Sequence, residues 1–328
     1  MQESHKPIID HIRDYLEYTE IERGFSKSTQ GNYQRCLKRF EKWLSANNKG
    51  GIKPHELAVE DVWQYRVYLS KYVDRHGELL SKCTQNYYLT ALRGLLTYFL
   101  LRDITSLSTM KVTLSKETDR NQRRMKFLNL EQIKKLLDAP DTTKRAGLRD
   151  KVMLETLFST GLRVAELTAL NKNQFDSIWN QEDLELSIIG KGNRQRMVFF
   201  SKHALVWLRR YIGVRNDNEK ALFINNRKEN RSGDHRLSTR SIERIIKNYA
   251  LKSGLPDFTS PHTLRHSYAT DLLNQGVDLR TVQELLGHSN IITTQLYTHV
   301  TNKHLRDVHR QFHGGRSLDN LDVKTPNL

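Results

Sequence analysis

The sequence predicts a mainly α-helical protein of two domains, with one small antiparallel β-sheet in the second. Its 328 residues exceed the usual size of a single domain. Apolar residues recur at helical spacings of three and four over most of the chain, and strand-like alternation is evident at positions 184–200. A hydrophobic fraction of 37%, with 9% aromatic residues, is enough to build folded cores.

Three helices are predicted within the first hundred residues. One begins after Ser26, one near Val59 and one after Ser81, which is a candidate N-cap. Basic residues lie off the apolar face of the first, so we expect a helical bundle with basic outer faces. The predicted inward positions are Tyr33, Leu37, Phe40 and Leu44, then Val62, Arg66, Leu69 and Val73, then Tyr88, Leu92, Leu95, Leu96 and Phe99.

The helical period is lost over residues 102–126, where Ser, Thr and charged residues accumulate. We interpret this stretch as a basic linker, although a long surface loop of one large domain would have a similar composition. The predicted limits are a helical domain at 1–107, a linker at 108–125, a second domain at 126–313 and a polar, disordered tail at 314–328.

The second domain is predicted to begin with a helix at Leu130, for which Asn129 is the candidate N-cap. A helix from about Leu148 ends near Gly161, a residue suited to the left-handed position after a helix. LELSII (184–189) and MVFF (197–200) then form a hairpin around a Gly-containing turn. Further helices are expected after Lys202, Ser238, Ser260 and Asp278, with Gly276 and Gly287 at helix ends and a last apolar stripe at Leu305, Val308 and Phe312.

The composition favours a polyanionic partner. With 53 Lys and Arg against 37 Asp and Glu, the formal net charge is +16, and an anionic membrane surface is the alternative to nucleic acid. No apolar run is long enough to span a bilayer, and residues 1–20 lack the apolar stretch of a signal peptide. Two cysteines, Cys36 and Cys83, indicate a reducing cytosol, with one disulfide between them left open.

Several polar residues cluster around predicted helix ends and the hairpin turn. His262 and Arg265 lie three residues apart at a helix start, where free backbone N–H groups attract anions. Glu166 follows Arg163 at the same spacing. Each residue alone has an ordinary structural interpretation, as a surface charge, a cap or a half-buried aromatic. The candidate set is Arg163, Lys191, His262, Arg265, His288 and Tyr297, with Glu166 beside it.

The whole string of motifs resembles the tyrosine recombinase (phage integrase) family, and most closely its Xer-type members. The resemblance rests on TGLRVAEL (160–167), IGKGNRQRMV (189–198), the segment from HTLRHSYAT to QLYTHV (262–300) and NKHLRDVHRQFH (302–313). It covers about residues 6–313. It implies an N-terminal, SAM-like core-binding bundle, a C-terminal catalytic domain, and all six candidate residues as the catalytic set.

The resemblance also implies the chemistry. Tyr297 would attack a DNA phosphodiester, giving a 3′-phosphotyrosyl bond and a free 5′-hydroxyl. Arg163 and Arg265 would hold the non-bridging oxygens, and His288 would add a hydrogen bond to them. His262 would act as base and Lys191 as acid, while Glu166 would orient the positive groups. Neither ATP nor a metal is called for, and no cofactor is expected.

The expected partner is double-stranded DNA with inverted half-sites, bound by a homo- or hetero-tetramer on paired sites. A second recombinase or a regulatory partner is left open. Resolution of chromosome or plasmid dimers is the favoured role, because the chain has no room before its first bundle for an arm-site domain and no extra insertion between Lys191 and His262.

Three alternatives are kept. A mobile-element integrase would share every motif above. A helix-turn-helix regulator without catalysis is suggested by LRTVQELLGHSNIITTQLY, in which Gly287 stands at the turn. A type IB topoisomerase would share the chemistry but would only relax supercoils.

Overall fold

The computed structural model describes residues 1–74, 77–115, 126–190, 195–225 and 235–287. The chain divides into two compact units, Met1–Arg123 and Arg124–Leu328. Within the described ranges the units contain eleven α-helices, three 3-10 helices and one antiparallel hairpin, so the predicted mainly-α class with a small sheet is confirmed. Among these helices, none has the length and apolar character needed to cross a bilayer.

Four helices form the first unit. Ser26 and Ser81 both act as N-caps, because their hydroxyl oxygens accept from the backbone N–H groups of Thr29 and Thr84 at 3.2 Å. The helices starting after these two serines are therefore confirmed. The helices are α1 (Ile8–Ile21), α2 (Lys27–Ala46), α3 (Val59–Lys71) and α4 (Lys82–Leu101), with short 3-10 turns at Pro54–Glu56 and Thr109–Lys111.

The predicted inward face of α3 is wrong in two places. The helix ends at Lys71, so Val73 lies beyond it and is 51% exposed. Tyr65 takes the inward position between Val62 and Leu69 and is completely buried against the rings of Phe40 and Trp43. Arg66 turns aside to stack on Trp63. A buried tyrosine contributes more apolar area than an arginine. The face of α3 that turns inward therefore contains Tyr65, three residues after Val62, instead of Arg66.

The start of the predicted linker packs against the first unit. Val112 is fully buried in the core of that unit, and its carbonyl oxygen accepts from the Arg93 side chain. The side chain of Asn86 exchanges two hydrogen bonds of 3.0 Å with the backbone of Ser115. Residues 108–115 are thus held on α4 by isolated contacts at Val112 and Ser115. Such isolated contacts leave no helical periodicity in the sequence. The domain limits stay a prediction, and 116–125 lie outside the described residues.

The second unit is built around α6, which is buried along most of its length. The helices predicted at Leu130 and at Leu148–Gly161 are confirmed, and Asn129 accepts from the N–H of Gln132 at 2.8 Å. The elements are α5 (Leu130–Asp138), α6 (Arg145–Thr160), α7 (Val164–Ala169), a 3-10 segment (Lys172–Asn180), β1 (Leu184–Ile189), β2 (Gln195–Phe200), α8 (Lys202–Gly213), α9 (Thr239–Lys252), α10 (Pro261–Asn274) and α11 (Leu279–Leu286).

The hairpin pairs Leu184 with Phe200 and Ile189 with Gln195. One face is packed into the core through Leu184, Ile188, Val198 and Phe200, in the alternation expected of a half-buried sheet. The predicted hairpin is confirmed, but β2 begins at Gln195, two residues before the predicted start. Arg196 therefore belongs to the strand, in phase with the buried Val198.

The last described helices follow their caps. Ser238, Ser260 and Asp278 accept hydrogen bonds from the first-turn N–H groups of α9, α10 and α11, as predicted. Gly161 and Gly287 adopt φ values of 60° and 63° directly after α6 and α11. These left-handed turns change the chain direction at the two helix ends around which the candidate site is built. The predicted final helix with Leu305, Val308 and Phe312 lies outside the described residues.

Candidate active site at two helix C-termini

The C-terminal ends of α6 and α11 provide backbone carbonyl groups that receive two arginines. Such carbonyls have no partner within their own helix and carry the negative end of the helix dipole. Both helices end in a left-handed glycine, and a side chain at either glycine would collide with a neighbour. A Cβ at Gly161 would lie 2.6 Å from the ring of Tyr268, and one at Gly287 would lie 2.7 Å from Cδ of Arg196. The two ends are therefore closely enclosed.

Arg265 connects these two helix ends. It lies in the second turn of α10 and is only 4% exposed. Its Nη1 donates to the carbonyl oxygen of Gly161 and its Nη2 to that of Leu286, both at 2.6 Å. Two bonds from one planar guanidinium fix its orientation, which a lysine with a single nitrogen could not do.

Arg163 reaches the same place from the other side of the Gly161 turn. It is the N-cap residue of α7, and its Nη2 donates to the carbonyl oxygen of Gly287 at 3.2 Å. Arg163 and Arg265 thus bind consecutive carbonyl groups, those of Gly287 and Leu286. The side chain of Arg163 remains 25% exposed, so this residue is partly accessible from solution.

Glu166 holds Arg163 in this position. Its Oε1 accepts from Nη1 of Arg163 at 3.0 Å, and its Oε2 accepts from the backbone N–H of the same residue at 2.8 Å. Burial alone would raise the pKa of the Glu166 carboxyl. Hydrogen bonds from Arg196 and Arg163 outweigh burial and lower this pKa to about 2, so the group is a carboxylate at neutral pH.

Arg196 is a member of this cluster that the sequence did not reveal. It donates to both carboxylate oxygens of Glu166, from Nη1 at 2.8 Å and from Nη2 at 2.6 Å. One signal could have identified it. Arg196 is in phase with Val198 and Phe200, so a charged residue stands on the inward face of a strand, where a buried partner is required.

The histidines of α10 have contrasting environments. His262, in the first turn, is exposed, although Arg265 on the next turn is buried. His266, which the sequence analysis missed, is mostly enclosed. Burial, with the neighbouring His262 and Arg265 side chains acting in the same direction, lowers its pKa to about 4, so it is neutral near pH 7.

The structure brings together Arg163, Arg265 and Glu166, and it places His262 one turn before Arg265 on α10. Lys191, His288 and Tyr297 lie outside the described residues. In sequence, Lys191 follows the end of β1 by two positions, and His288 directly follows Gly287, whose carbonyl oxygen Arg163 binds. Among the residues that are described, no group of three His, Cys, Asp or Glu side chains is arranged to hold a metal ion.

Family models match both units of the chain. The model of the phage integrase family matches residues 126–304, more than half of the chain, and the model of the phage integrase N-terminal SAM-like domain matches residues 12–103. The chain belongs to the phage integrase family.

Relatives matched over almost their full length support a finer placement within this family. The chain is 35% identical over 310 residues to the tyrosine recombinase XerD of Lacticaseibacillus casei, covering 92% of this chain and 98% of that one. It is 33% identical over 323 residues to the tyrosine recombinase XerD of Chlorobaculum tepidum, covering 95% and 99% of the two chains. The predicted resemblance to Xer-type tyrosine recombinases is confirmed.

A solved structure has the same fold. The XerH site-specific recombinase, crystallised with its difH substrate before cleavage, superposes with a TM-score of 0.69 at 21% identity, covering 94% of this chain and 97% of XerH. The superposition shows the shared fold, and the family model together with the XerD relatives shows that this chain is a site-specific tyrosine recombinase. The prediction of a DNA-recombining enzyme is confirmed, which sets aside the non-catalytic regulator.

Proposed function

We propose that this recombinase breaks and rejoins DNA strands through a 3′-phosphotyrosyl bond to Tyr297. The observation that carries the proposal is the anchoring of Arg163 and Arg265 on consecutive carbonyl groups at the end of α11. Two guanidinium groups anchored on adjacent carbonyl groups provide the paired donors that bind the oxygens of one phosphate.

The two arginines supply the main stabilisation of the transition state. As phosphorus becomes pentavalent, negative charge accumulates on its non-bridging oxygens. Donors that are already oriented gain interaction energy at that moment without reorganising. The phosphate reaches the partly exposed Arg163 from solution, and the buried Arg265 adds a second positive charge. His288, next to Gly287 in sequence, donates a hydrogen bond to the same oxygens.

The proton transfers balance in each step. The Tyr297 oxygen forms a bond to phosphorus as the bond from phosphorus to the 5′-oxygen breaks. His262 takes the phenol proton; a base is needed because tyrosine side chains in general ionise only at about pH 10, about three units above neutrality. Lys191 gives a proton to the departing 5′-oxygen. One phosphodiester replaces another, so the energy for religation is retained and no ATP is consumed.

The partner we propose is duplex DNA with inverted half-sites, bound by a tetramer that pairs two sites. The net charge of +16 supports a polyanionic partner. The XerH recombinase has been crystallised on a palindromic difH substrate. The cellular role we propose is resolution of chromosome or plasmid dimers in the cytoplasm, supported by the similarity to recombinases named XerD and by the free thiols of Cys36 and Cys83.

The decisive experiment is covalent trapping on DNA. A duplex with inverted half-sites, selected for binding from a randomised pool and nicked near the cleavage position, is incubated with native protein and with Tyr297→Phe. We expect an SDS-resistant adduct with native protein only, and equal binding by both proteins. An adduct that persists in Tyr297→Phe, or none with native protein on DNA that it binds, would refute the proposed role of this tyrosine.

A further inference from the structure

We propose that Arg196 is a positioning residue for recombination, which acts through Glu166 to hold Arg163 in the orientation that meets the scissile phosphate. The inference rests on the proposed function of Arg163. It assigns to β2 a role in strand cleavage that is separate from any group in the hairpin turn.

The contacts of Arg196 exclude a direct role on DNA. Its side chain is 9% exposed, and both of its terminal nitrogens are directed at the two oxygens of Glu166. This is the bidentate fork in which an arginine and a carboxylate bind most strongly and with the most defined geometry. A side chain engaged in this way inside the protein acts on the phosphate through other groups.

Glu166 transmits the orientation to Arg163. Each carboxylate oxygen is shared, since Oε1 accepts from both side chains and Oε2 accepts from Arg196 and from the backbone N–H of Arg163. The fork of Arg196 sets the plane of the carboxylate. That plane in turn determines the direction of the Arg163 guanidinium. Without Arg196 the carboxylate would be held only by its two bonds from Arg163 itself, and nothing outside that pair would fix its plane.

The second anchor of Arg163 is also supported by Arg196. The aliphatic stem of Arg196 passes so close to Gly287 that a Cβ there would lie 2.7 Å from Cδ. The carbonyl oxygen of this same Gly287 accepts from Nη2 of Arg163 at 3.2 Å. Arg196 therefore lies against both residues that hold the Arg163 side chain, Glu166 and Gly287.

The charge balance gives Arg196 a further effect. Arg163 paired with Glu166 alone would be electrically neutral and a poor receptor for a phosphate. The second guanidinium leaves the three-residue cluster with one net positive charge, and only Arg163 of the two is exposed to deliver it. Arg196→Lys would keep the positive charge but lose the two-nitrogen fork, so the effects of charge and geometry can be separated.

The test uses single-turnover cleavage of three duplexes that differ only at the scissile position. One carries the normal phosphate. One carries a methylphosphonate, in which a non-bridging oxygen is replaced by an uncharged methyl group. One carries a 5′-bridging phosphorothiolate, whose sulfur leaves without needing a proton. The variants are Arg196→Lys, Arg196→Ala and Arg163→Ala.

A matched control variant is Arg215→Lys. Arg215 is 4% exposed and also forks a carboxylate, that of Asp217, while its other bonds in the described structure go to carbonyl oxygens of residues 221 and 222. It reports what the loss of a buried arginine fork does to folding alone. Thermal unfolding of every variant is measured in parallel.

We expect Arg196→Lys to slow cleavage of the normal phosphate by about 10-fold and Arg196→Ala by about 100-fold, the range found when a residue that orients an active-site group is removed. On the methylphosphonate duplex the ratio of the native cleavage rate to the Arg196→Ala rate should be at least 10-fold smaller than on the normal phosphate. The same reduction is expected for Arg163→Ala. On the phosphorothiolate the difference persists. Arg215→Lys cleaves all three duplexes at the native rate while folded.

Three results would overturn the inference. Equal cleavage by native protein and Arg196→Ala shows that Arg196 positions nothing. Rescue by the phosphorothiolate shows that it acts on the leaving group. Equal losses on all three duplexes, with the same loss of thermal stability as Arg215→Lys, show a purely structural role. If native protein itself fails to cleave the phosphate duplex that it binds, the proposed function fails and this inference fails with it.

Discussion

Two buried arginine–carboxylate clusters of the second unit serve different ends. In the site, Glu166 accepts from two arginines, and one of these, Arg163, remains 25% exposed. In the other cluster, Asp150 accepts from Arg149 and from the hydroxyl of Tyr249, and both charged side chains are sealed at 7–8% exposure. The first cluster carries a net positive charge, while the second is neutral.

The pKa values of the two carboxyl groups are shifted in opposite directions. Burial raises the pKa of Asp150 despite the opposing effect of Arg149. Burial acts in the same sense on Glu166, but two guanidinium groups and a backbone N–H reverse the direction and lower its pKa to about 2. The comparison teaches that one arginine neutralises a buried carboxylate. A second arginine leaves the cluster with a charge that is available to a ligand.

The largest effect is expected from breaking the neutral cluster. Arg149→Ala leaves the Asp150 carboxyl buried without its cation, and the free energy of unfolding should fall by about 3–5 kcal/mol. The cleavage rate per folded molecule should not change, because Arg149 binds Asp150 and the carbonyl oxygen of Ile224 instead of site residues. Denaturant unfolding and single-turnover cleavage test the two halves. A slower cleavage rate at full folding would erase the distinction between the clusters.

The second-largest effect is expected from Arg163→Ala, which should slow cleavage and leave the stability of the fold almost unchanged, the reverse of Arg149→Ala. Loss of one oriented donor to the transition state should slow cleavage by about 10²–10³-fold, or about 2.7–4 kcal/mol. The free energy of unfolding should change by less than about 1 kcal/mol, because the lost ion pair is partly exposed. A variant that is strongly destabilised but cleaves normally would place Arg163 with the structural arginines.

Lowering the pH should change the contributions of Glu166 and Asp150 to folding stability in opposite directions. The folded-state pKa of Glu166 is depressed, so its stabilising contribution is complete above the unfolded value of 4.5 and is lost as pH falls toward about 2. The folded-state pKa of Asp150 is raised, so protonation favours the folded protein there. We expect native protein to lose about 1 kcal/mol more than Glu166→Gln between pH 4.5 and 3.5 in denaturant titrations. An identical pH dependence of the two proteins would contradict the lowered pKa.

The smallest effect concerns two equivalent helix caps. Ser260 caps α10, which carries Arg265, and Ser238 caps α9, with bonds of 3.2 and 3.1 Å to the N–H groups of Thr263 and Ser241. Ser260→Ala and Ser238→Ala should each lower the free energy of unfolding by about 1 kcal/mol. Only Ser260→Ala should also slow cleavage, because α10 carries Arg265, for which we propose a role in binding the phosphate. Equal cleavage rates would show that the end of α10 does not influence the site.

Local signals were predictable from the sequence, while long-range contacts were not. The caps at Asn129 and Ser260 and the glycine ends at 161 and 287 follow from backbone chemistry within a few residues, and the structure has them all. The inward side of α3 was predicted wrongly, because the choice between Tyr65 and Arg66 depends on what Phe40 and Trp43 leave room for.

The candidate site was predictable in part for the same reason. Family motifs identified Arg163, Glu166 and Arg265, but the partners of these side chains belong to elements far away in sequence. Arg265 binds a carbonyl group 104 positions earlier, and Arg196 binds a carboxylate 30 positions earlier. The structure shows the contacts of Arg163, Glu166 and Arg265, but their catalytic roles, like those of Lys191, His262, His288 and Tyr297, remain predictions.

The central claim is that Arg163 and Arg265 act together on one phosphate. A double-mutant cycle in single-turnover cleavage, with Arg163→Lys, Arg265→Lys and the double variant, measures this directly. Residues that act as a unit are strongly non-additive, so the double variant should lose at least about 10-fold less than the product of the single losses. Losses that multiply within about twofold would mean that the two guanidinium groups work independently and would contradict the account.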